Sequence, residues 1–239
     1  MFDSYLPISY YKELAPLHAA HGITIVQHRE TNKIYVKKEM TVYSLPVFAQ
    51  LFLHPIVGIP RIYALYENEG KLTSIEEYIS GETLEDLLKI CGSFSVKEVA
   101  QCAIGLCDIL DRLHRQAPPI IHRDIKPSNV ILTEDHRVVL IDLNAARSDD
   151  KSKSRDTKLL GTEGYAAPEQ FGFGSSGPAT DLYNTGMLMK TLLGYEDASL
   201  PTGHPLAPII EKCIQLDPRN RFVSAGALSI ALGKVLKKL

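Results

Sequence analysis

What this 239-residue chain has little of narrows it first. Its four cysteines, Cys91, Cys102, Cys107 and Cys213, stand in no CxxC or other metal-ligand spacing, which argues against a zinc site or disulfide framework and for reduced, packed thiols. No apolar run reaches the roughly 18 residues a membrane-spanning helix needs. Nothing at the N-terminus resembles a signal peptide, so the expectation is a cytoplasmic protein with no membrane segment within this chain. Charge of one sign is also missing: 26 Lys and Arg face 28 Asp and Glu, a formal net charge of −2. Binding to a phosphate backbone rests on clustered cations, and the expectation is therefore no nucleic-acid partner. Repeats and low-complexity tracts are absent. Two local scarcities matter later. No acidic residue occurs between Glu39 and Glu67, and the stretch APLHAAHGIT (15–24) holds a single glycine, Gly22.

What is present is ample core material, 45% hydrophobic, in two regions of different period. From Ile23 to Tyr78 the segments ITIVQ, KIYVKK, RIYALYE and LTSIEEYI, separated by turn sequences such as ETN and NEG, predict a small sheet. From Thr83 onward the period is helical. Thr83 and Asp86 form a capping pair, and Ser95 with Glu98 a capping box. Behind that box Val99, Ala103, Leu106, Leu110 and Leu113 recur every three or four residues, so a long helix should bury one stripe. Further helices are predicted near 179–193, 205–216 and 223–238, and RSDDKSKSRDTK (147–158) is polar enough for a mobile loop.

The segment IIHRDIKPSNVIL (120–132) is aliphatic at both ends and charged in the middle, which predicts a polar loop held between two buried strands. Its core, HRDIKPSN, is followed in order by VVLIDLN, GTEGYAAPE, DLYNTG and DPRNRF. These five motifs resemble those of the protein kinase family, and the resemblance covers nearly the whole chain. It implies an α+β, bilobal, protein-kinase-like fold. A small antiparallel sheet lobe over residues 1–79 would cover the nucleotide, and a mainly helical lobe over 80–239 would carry the catalytic loop, the metal motif and the activation segment.

Phosphoryl transfer needs little covalent help from a protein, so catalysis is chiefly positioning and charge stabilisation. The resemblance assigns Asp124 to orient the acceptor hydroxyl and take its proton. It assigns Asn129 and Asp142 to ligate Mg²⁺ on the phosphates of ATP, and Lys126 to offset charge on the moving group. Thr162 would hydrogen-bond both Asp124 and Lys126, and Arg123 would brace the activation segment. Lysine at position 126 resembles the serine/threonine branch, and the APE and DxWSxG-like motifs point to a protein substrate bearing Ser or Thr. Glu169 would pair with Arg221, Asp181 would hold the loop backbone, and His122 would pack beneath it.

In the sheet lobe, side chains alternate across IYVKKEM (34–40), so Val36 and Lys38 share one face. The family needs a small residue over the adenine, which Val36 meets, and this makes Lys38 the phosphate-binding lysine and Lys37 a solvated surface charge. The Gly-rich cover is reduced to Gly22, with Ala19 and Ala20 small enough for a looser version. The partner glutamate of the third helix has no counterpart, and that helix is expected to be short. Backbone groups of Glu77 and Ile79 would meet the purine edge. Glu76 falls in the gatekeeper position, where a buried carboxylate needs a partner or a proton; turning toward Lys38 would supply the missing charge. Leu143 and Asn144 replace Phe and Gly of the metal motif, with Leu143 filling the hydrophobic slot and Asn144 tolerating a left-handed conformation. Ser148, Ser152, Ser154 and Thr157 are candidate phosphorylation sites, Thr157 facing Arg123. The alternative function is a nucleotide-binding scaffold of the same fold with weak catalysis.

Overall fold

Alternating side chains between residues 11 and 77 build one five-stranded antiparallel sheet. Its strands are β1 (Tyr11–His18), β2 (Ile23–His28), β3 (Ile34–Met40), β4 (Ile62–Asn68) and β5 (Lys71–Glu77), in the order β1-β2-β3-β5-β4. The computed structural model describes residues 8–18, 22–148, 162–172, 174–196 and 198–239. Four of the strands follow the sequence pattern. The fifth, β1, does not: residues 12–17 are exposed, the register slips twice against β2, and Pro16 offers no amide hydrogen. An edge strand tolerates all three because one side of its ladder faces solvent. Gly22, at the start of β2, has φ +65, and its carbonyl accepts from the Glu39 amide at 3.0 Å. A Cβ there would stand 2.8 Å from the Glu39 carbonyl oxygen. The glycine is thus required by the approach of β2 to β3.

Between β3 and β4 runs helix α1 (Leu45–Leu53), which buries Val47, Phe48 and Leu51. These side chains share a core cluster with Leu106, Leu140, Leu182 and Leu228 from the helical region, while Tyr11, Val26, Ala64 and Ile75 form a second, smaller cluster on the sheet.

The helical region begins with β6 (Glu82–Thr83), α2 (Leu84–Cys91) and α3 (Val96–His114). Both predicted caps form. The Thr83 hydroxyl accepts from the Asp86 amide at 3.1 Å, and Ser95 and Glu98 make the reciprocal box. Along α3, Val99, Leu106, Leu110 and Leu113 are fully buried, each worth about 1.5–3 kcal/mol of transfer free energy. Next come the short strands β7 (Ile120–Ile121), β8 (Val130–Leu132), β9 (Val138–Leu140) and β10 (Arg147–Ser148), then α4 (Pro178–Leu192), α5 (Ala207–Cys213) and α6 (Ala225–Leu236). The last three helices match the predicted segments, α5 being shorter than expected. A Cβ on Gly186 of α4 would meet Cys213 Cβ at 2.5 Å, so α4 and α5 touch there. The thiols of Cys102, Cys107 and Cys213 are buried and unbridged, and burial pushes those of Cys102 and Cys213 up to about 12, which keeps them inert.

Candidate active site

The charged segment after β7 is held from below. Ile120 and Ile121 are fully buried, and the chain then turns at Arg123 with φ +71, a left-handed conformation that costs a non-glycine residue about 1–3 kcal/mol. Buried Asp181 fixes that turn: its carboxylate accepts from the His122 amide at 3.0 Å and the Arg123 amide at 2.8 Å, and also lies 2.8 Å from His114 Nε2. Gln170 Nε2 donates to the Arg123 carbonyl at 2.8 Å. His122, with no exposed surface, contacts the Ile141 carbonyl through Nε2 at 3.1 Å.

On this platform Asp124, Lys126, Asn129 and Thr162 come together. The Thr162 hydroxyl donates to Asp124 Oδ1 at 2.7 Å, and Lys126 Nζ reaches both Thr162 Oγ1 at 2.8 Å and Asp124 Oδ2 at 3.0 Å. Asn129 Nδ2 donates to the Asp124 backbone oxygen at 2.8 Å and to its Oδ2 at 2.9 Å. The amide nitrogen of Asn129 is therefore committed, and only its oxygen is the right chemistry for a cation.

Asp142 follows β9. The Ile141 amide donates to the Asn129 carbonyl at 2.9 Å, which ties the two candidate metal residues through the backbone. The left-handed residue of this motif is Asp142 itself, at φ +65, and Asn144 is not among the positive-φ residues, which corrects the sequence expectation. The reason is local: the Asn144 amide donates to Asp142 Oδ1 at 3.2 Å, closing a turn on the carboxylate. Leu143 is buried in the main core. Asn144 Oδ1 is buried with no partner among the described residues. Also among the described residues, no group of three or more His, Cys, Asp or Glu could hold a metal alone. Two oxygens from Asp142 and Asn129 fit an ion that takes its remaining ligands from phosphate and water.

Lys38 stands across from this loop. Its Nζ lies 2.8 Å from Glu76 Oε2, with the two side chains 13% and 5% exposed. Burial lowers the lysine pKa, but the charges of Glu76 and Asp142 outweigh it and hold the amine above its usual value, so Lys38 is a cation. Ser74 Oγ donates to the other Glu76 oxygen at 2.7 Å. Sequence reasoning missed Ser74, although its place two residues before Glu76 puts both on one strand face. On the opposite face Lys37 is not a solvated charge: its Nζ sits 2.8 Å from Glu13 and 2.9 Å from Glu39. Glu39 is turned away from Lys38 for the same reason.

Val36 is buried beside Lys38, and it pairs with Glu76 in the β3–β5 ladder. Glu77 ends β5, where its amide donates to the Arg61 carbonyl at 2.8 Å and the residue stands opposite Tyr35 of β3. Ile79 lies in the segment that leads to β6, and with Glu77, Ser80, Thr133, Asp135 and Arg137 it lines a cavity of about 270 Å³. A larger cavity, about 610 Å³, opens beside the catalytic loop and is lined by Glu85, Lys89, Pro127, Tyr165, Tyr195 and Glu196 among others. Ala19, Ala20, Ser152, Ser154 and Thr157 lie outside the described residues; Ser148 is in β10.

Behind the site Arg221 and Glu169 form a two-pronged ion pair at 2.7 and 2.9 Å. Burial pushes the Glu169 carboxyl up, but hydrogen bonds from Arg221 and Thr180 hold it below the usual glutamate value.

The family model described as protein kinase domain matches residues 23–199. The chain is 29% identical to serine/threonine-protein kinase B of Synechocystis over 95% of its own length and 41% of that protein. It is also 29% identical to serine/threonine-protein kinase PknA of Nostoc, over 92% of this chain and 41% of the relative. Serine/threonine-protein kinase D of Synechocystis is 31% identical over 74% of this chain and 39% of that kinase. The chain thus spans about two fifths of the length of the curated relatives it matches. With the motif order, the bilobal α+β architecture and a match over most of its residues in agreement, the chain belongs to the protein kinase family.

Proposed function

We propose that the chain is the catalytic domain of a serine/threonine protein kinase, which moves the γ-phosphoryl group of ATP to a serine or threonine hydroxyl of a protein. The observation that carries the reading is the Asp124–Lys126–Thr162 triangle, in which a carboxylate, an ammonium and a hydroxyl meet within 3.0 Å. Residues 1–79 serve as the nucleotide cover and 80–239 as the catalytic half. Lys38 grips the phosphates, Val36 covers the purine, and the backbones of Glu77 and Ile79 meet its edge, with Gly22 shaping the strand that leads in. Asp142 and Asn129 would hold the divalent ion, taken as Mg²⁺, which when bound would offset the negative charge of the phosphates.

The chain's own residues then do the following. Asp124 orients the acceptor hydroxyl and receives its proton as the oxygen bonds to the γ-phosphorus and the bond to the ADP oxygen breaks. Lys126 faces the charge on the moving group. Thr162 on Oδ1, with Lys126 and Asn129 on Oδ2, fixes the Asp124 rotamer, and the remaining lone pairs of the carboxylate work on the acceptor. The 610 Å³ cavity that includes Pro127 of the catalytic loop is wide enough for the chain flanking a protein acceptor. Among the described residues no helix is long and apolar enough to cross a membrane, and the working location is taken to be the cytoplasm.

The scaffold alternative drew on the reduced glycine loop and the missing helix glutamate. Glu76 answers the second of these by giving Lys38 a charged partner. The test is phosphate transfer from γ-labelled ATP to a generic protein acceptor, with phosphoamino-acid analysis and nucleotide binding measured in parallel. Transfer to serine and threonine that disappears in Asp124→Ala and Lys38→Ala supports the kinase; equal background transfer by all three, with binding retained, supports the scaffold.

A further inference from the structure

Helix α1 offers Lys38 no charge, for its nine residues include no acidic side chain. The partner comes from the sheet instead. Strands β3 and β5 are hydrogen-bonded neighbours in which Lys38 lies opposite Ser74 and Val36 opposite Glu76. Residues two apart on a strand share a face, so Glu76 is the diagonal cross-strand neighbour of Lys38. The ladder that sets the register of the two strands also sets the distance between the two charges. Both carboxylate oxygens are used, one by Lys38 Nζ at 2.8 Å and one by Ser74 Oγ at 2.7 Å, and Glu76 as a whole is 4% exposed. A buried carboxylate fixed by two partners has little freedom to leave.

Resting on the kinase reading of Lys38, we propose that Glu76 is the positioning residue for the nucleotide lysine, and that the pair, built within one sheet, stays formed independently of helix α1. In kinases generally, helix placement and activity are coupled through the ion pair that joins helix and strand lysine. Here that ion-pair coupling has no acidic side chain on α1 to act through. A carboxylate, not an open apolar space, closes the rear of the purine site behind Val36.

The experiment compares the whole chain with Glu76→Gln, Glu76→Asp and Gln50→Ala. Gln50 is chosen because its Nε2 donates to the Pro118 carbonyl at 3.1 Å, a side-chain tether between α1 and the loop after α3. Two readouts are taken: kcat and KM for MgATP, and the NMR order parameter of the Lys38 ε-methylene, assigned through Lys38→Arg. Glu76→Gln is expected to lower kcat/KM by about tenfold or more and to loosen Lys38. Glu76→Asp should fall between it and the native chain, and Gln50→Ala should stay within about twofold of native in both readouts. Thermal melting checks that each variant folds. Should Glu76→Gln not fold, Ser74→Ala takes its place: it keeps the charge, removes one hold on it, and must still loosen Lys38. Native-like kinetics and an equally rigid Lys38 without Glu76 or without Ser74 would overturn the proposal, as would a loosened Lys38 in Gln50→Ala. If the native chain transfers no phosphate, the kinase reading fails, while the Lys38 order parameter still decides whether Glu76 holds the lysine.

Discussion

Around Asp124, hydrogen bonds arrive from widely separated stretches of chain, whereas around Lys38 they arrive from neighbouring strands of one sheet. Asp181 of α4, Gln170, Thr162 and the Ile141 carbonyl all converge on the catalytic loop. Lys38 and Glu76 are placed by the ladders of one sheet, opposite each other's neighbours across β3 and β5. The difference teaches where variation is tolerated. A loop fixed by long-range contacts needs every partner in the same place, and its motif is retained residue by residue. A sheet sets side-chain spacing through its backbone, so the charge that meets the lysine can move from a helix to a strand without loss of geometry.

The comparison breaks most visibly at the far support of the catalytic half. Arg221 has no exposed side-chain surface and Glu169 is 7% exposed, so Arg221→Ala leaves a buried carboxylate without its counter-charge, although Thr180 still donates to it. We expect a loss of about 3–5 kcal/mol, read by urea or thermal unfolding. The same contribution depends on pH with a definite sign. Glu169 titrates below its unfolded value, so the stabilisation is full above the ordinary glutamate range and is lost as pH falls through the lower folded value. Next in size is Thr162→Val, which removes the hydroxyl between Lys126 and Asp124 while preserving shape. It should lower kcat by about 10²-fold with little change in KM for ATP, since the lost contact lies on the acceptor side. Smallest is Ser95→Ala at the start of α3, which removes the capping box and should cost about 1 kcal/mol of stability without changing kcat.

These magnitudes also explain what the sequence disclosed. Residues of the catalytic half were legible because their chemistry is written in short, contiguous motifs: HRDIKPSN carries Asp124, Lys126 and Asn129 within six positions of chain. Helices α2 and α3 were legible from Thr83, Ser95 and Glu98, whose capping bonds span only three residues. Strand alternation separated Lys38 from Lys37, although it did not reveal that Glu13 and Glu39 would pair with the latter. Strand β1 was not legible, since a solvated edge strand with Pro16 and residues 12–17 exposed has almost no alternating pattern to detect. Nor was the left-handed turn at Asp142, because aspartate at positive φ is decided by the surrounding bonds and not by residue type. The expectation for Asn144 erred by assigning the conformation to the residue that tolerates it best.

The account depends on a division of labour between two carboxylates, with Asp142 serving the nucleotide and Asp124 the acceptor. The most direct test measures MgATP affinity and phosphate transfer together in Asp124→Asn and Asp142→Asn. The account predicts that Asp124→Asn binds MgATP as the native chain does yet loses transfer by about 10²–10⁴-fold, while Asp142→Asn loses metal-dependent affinity as well. Equal effects of the two substitutions on affinity, or transfer that survives Asp124→Asn, would contradict it.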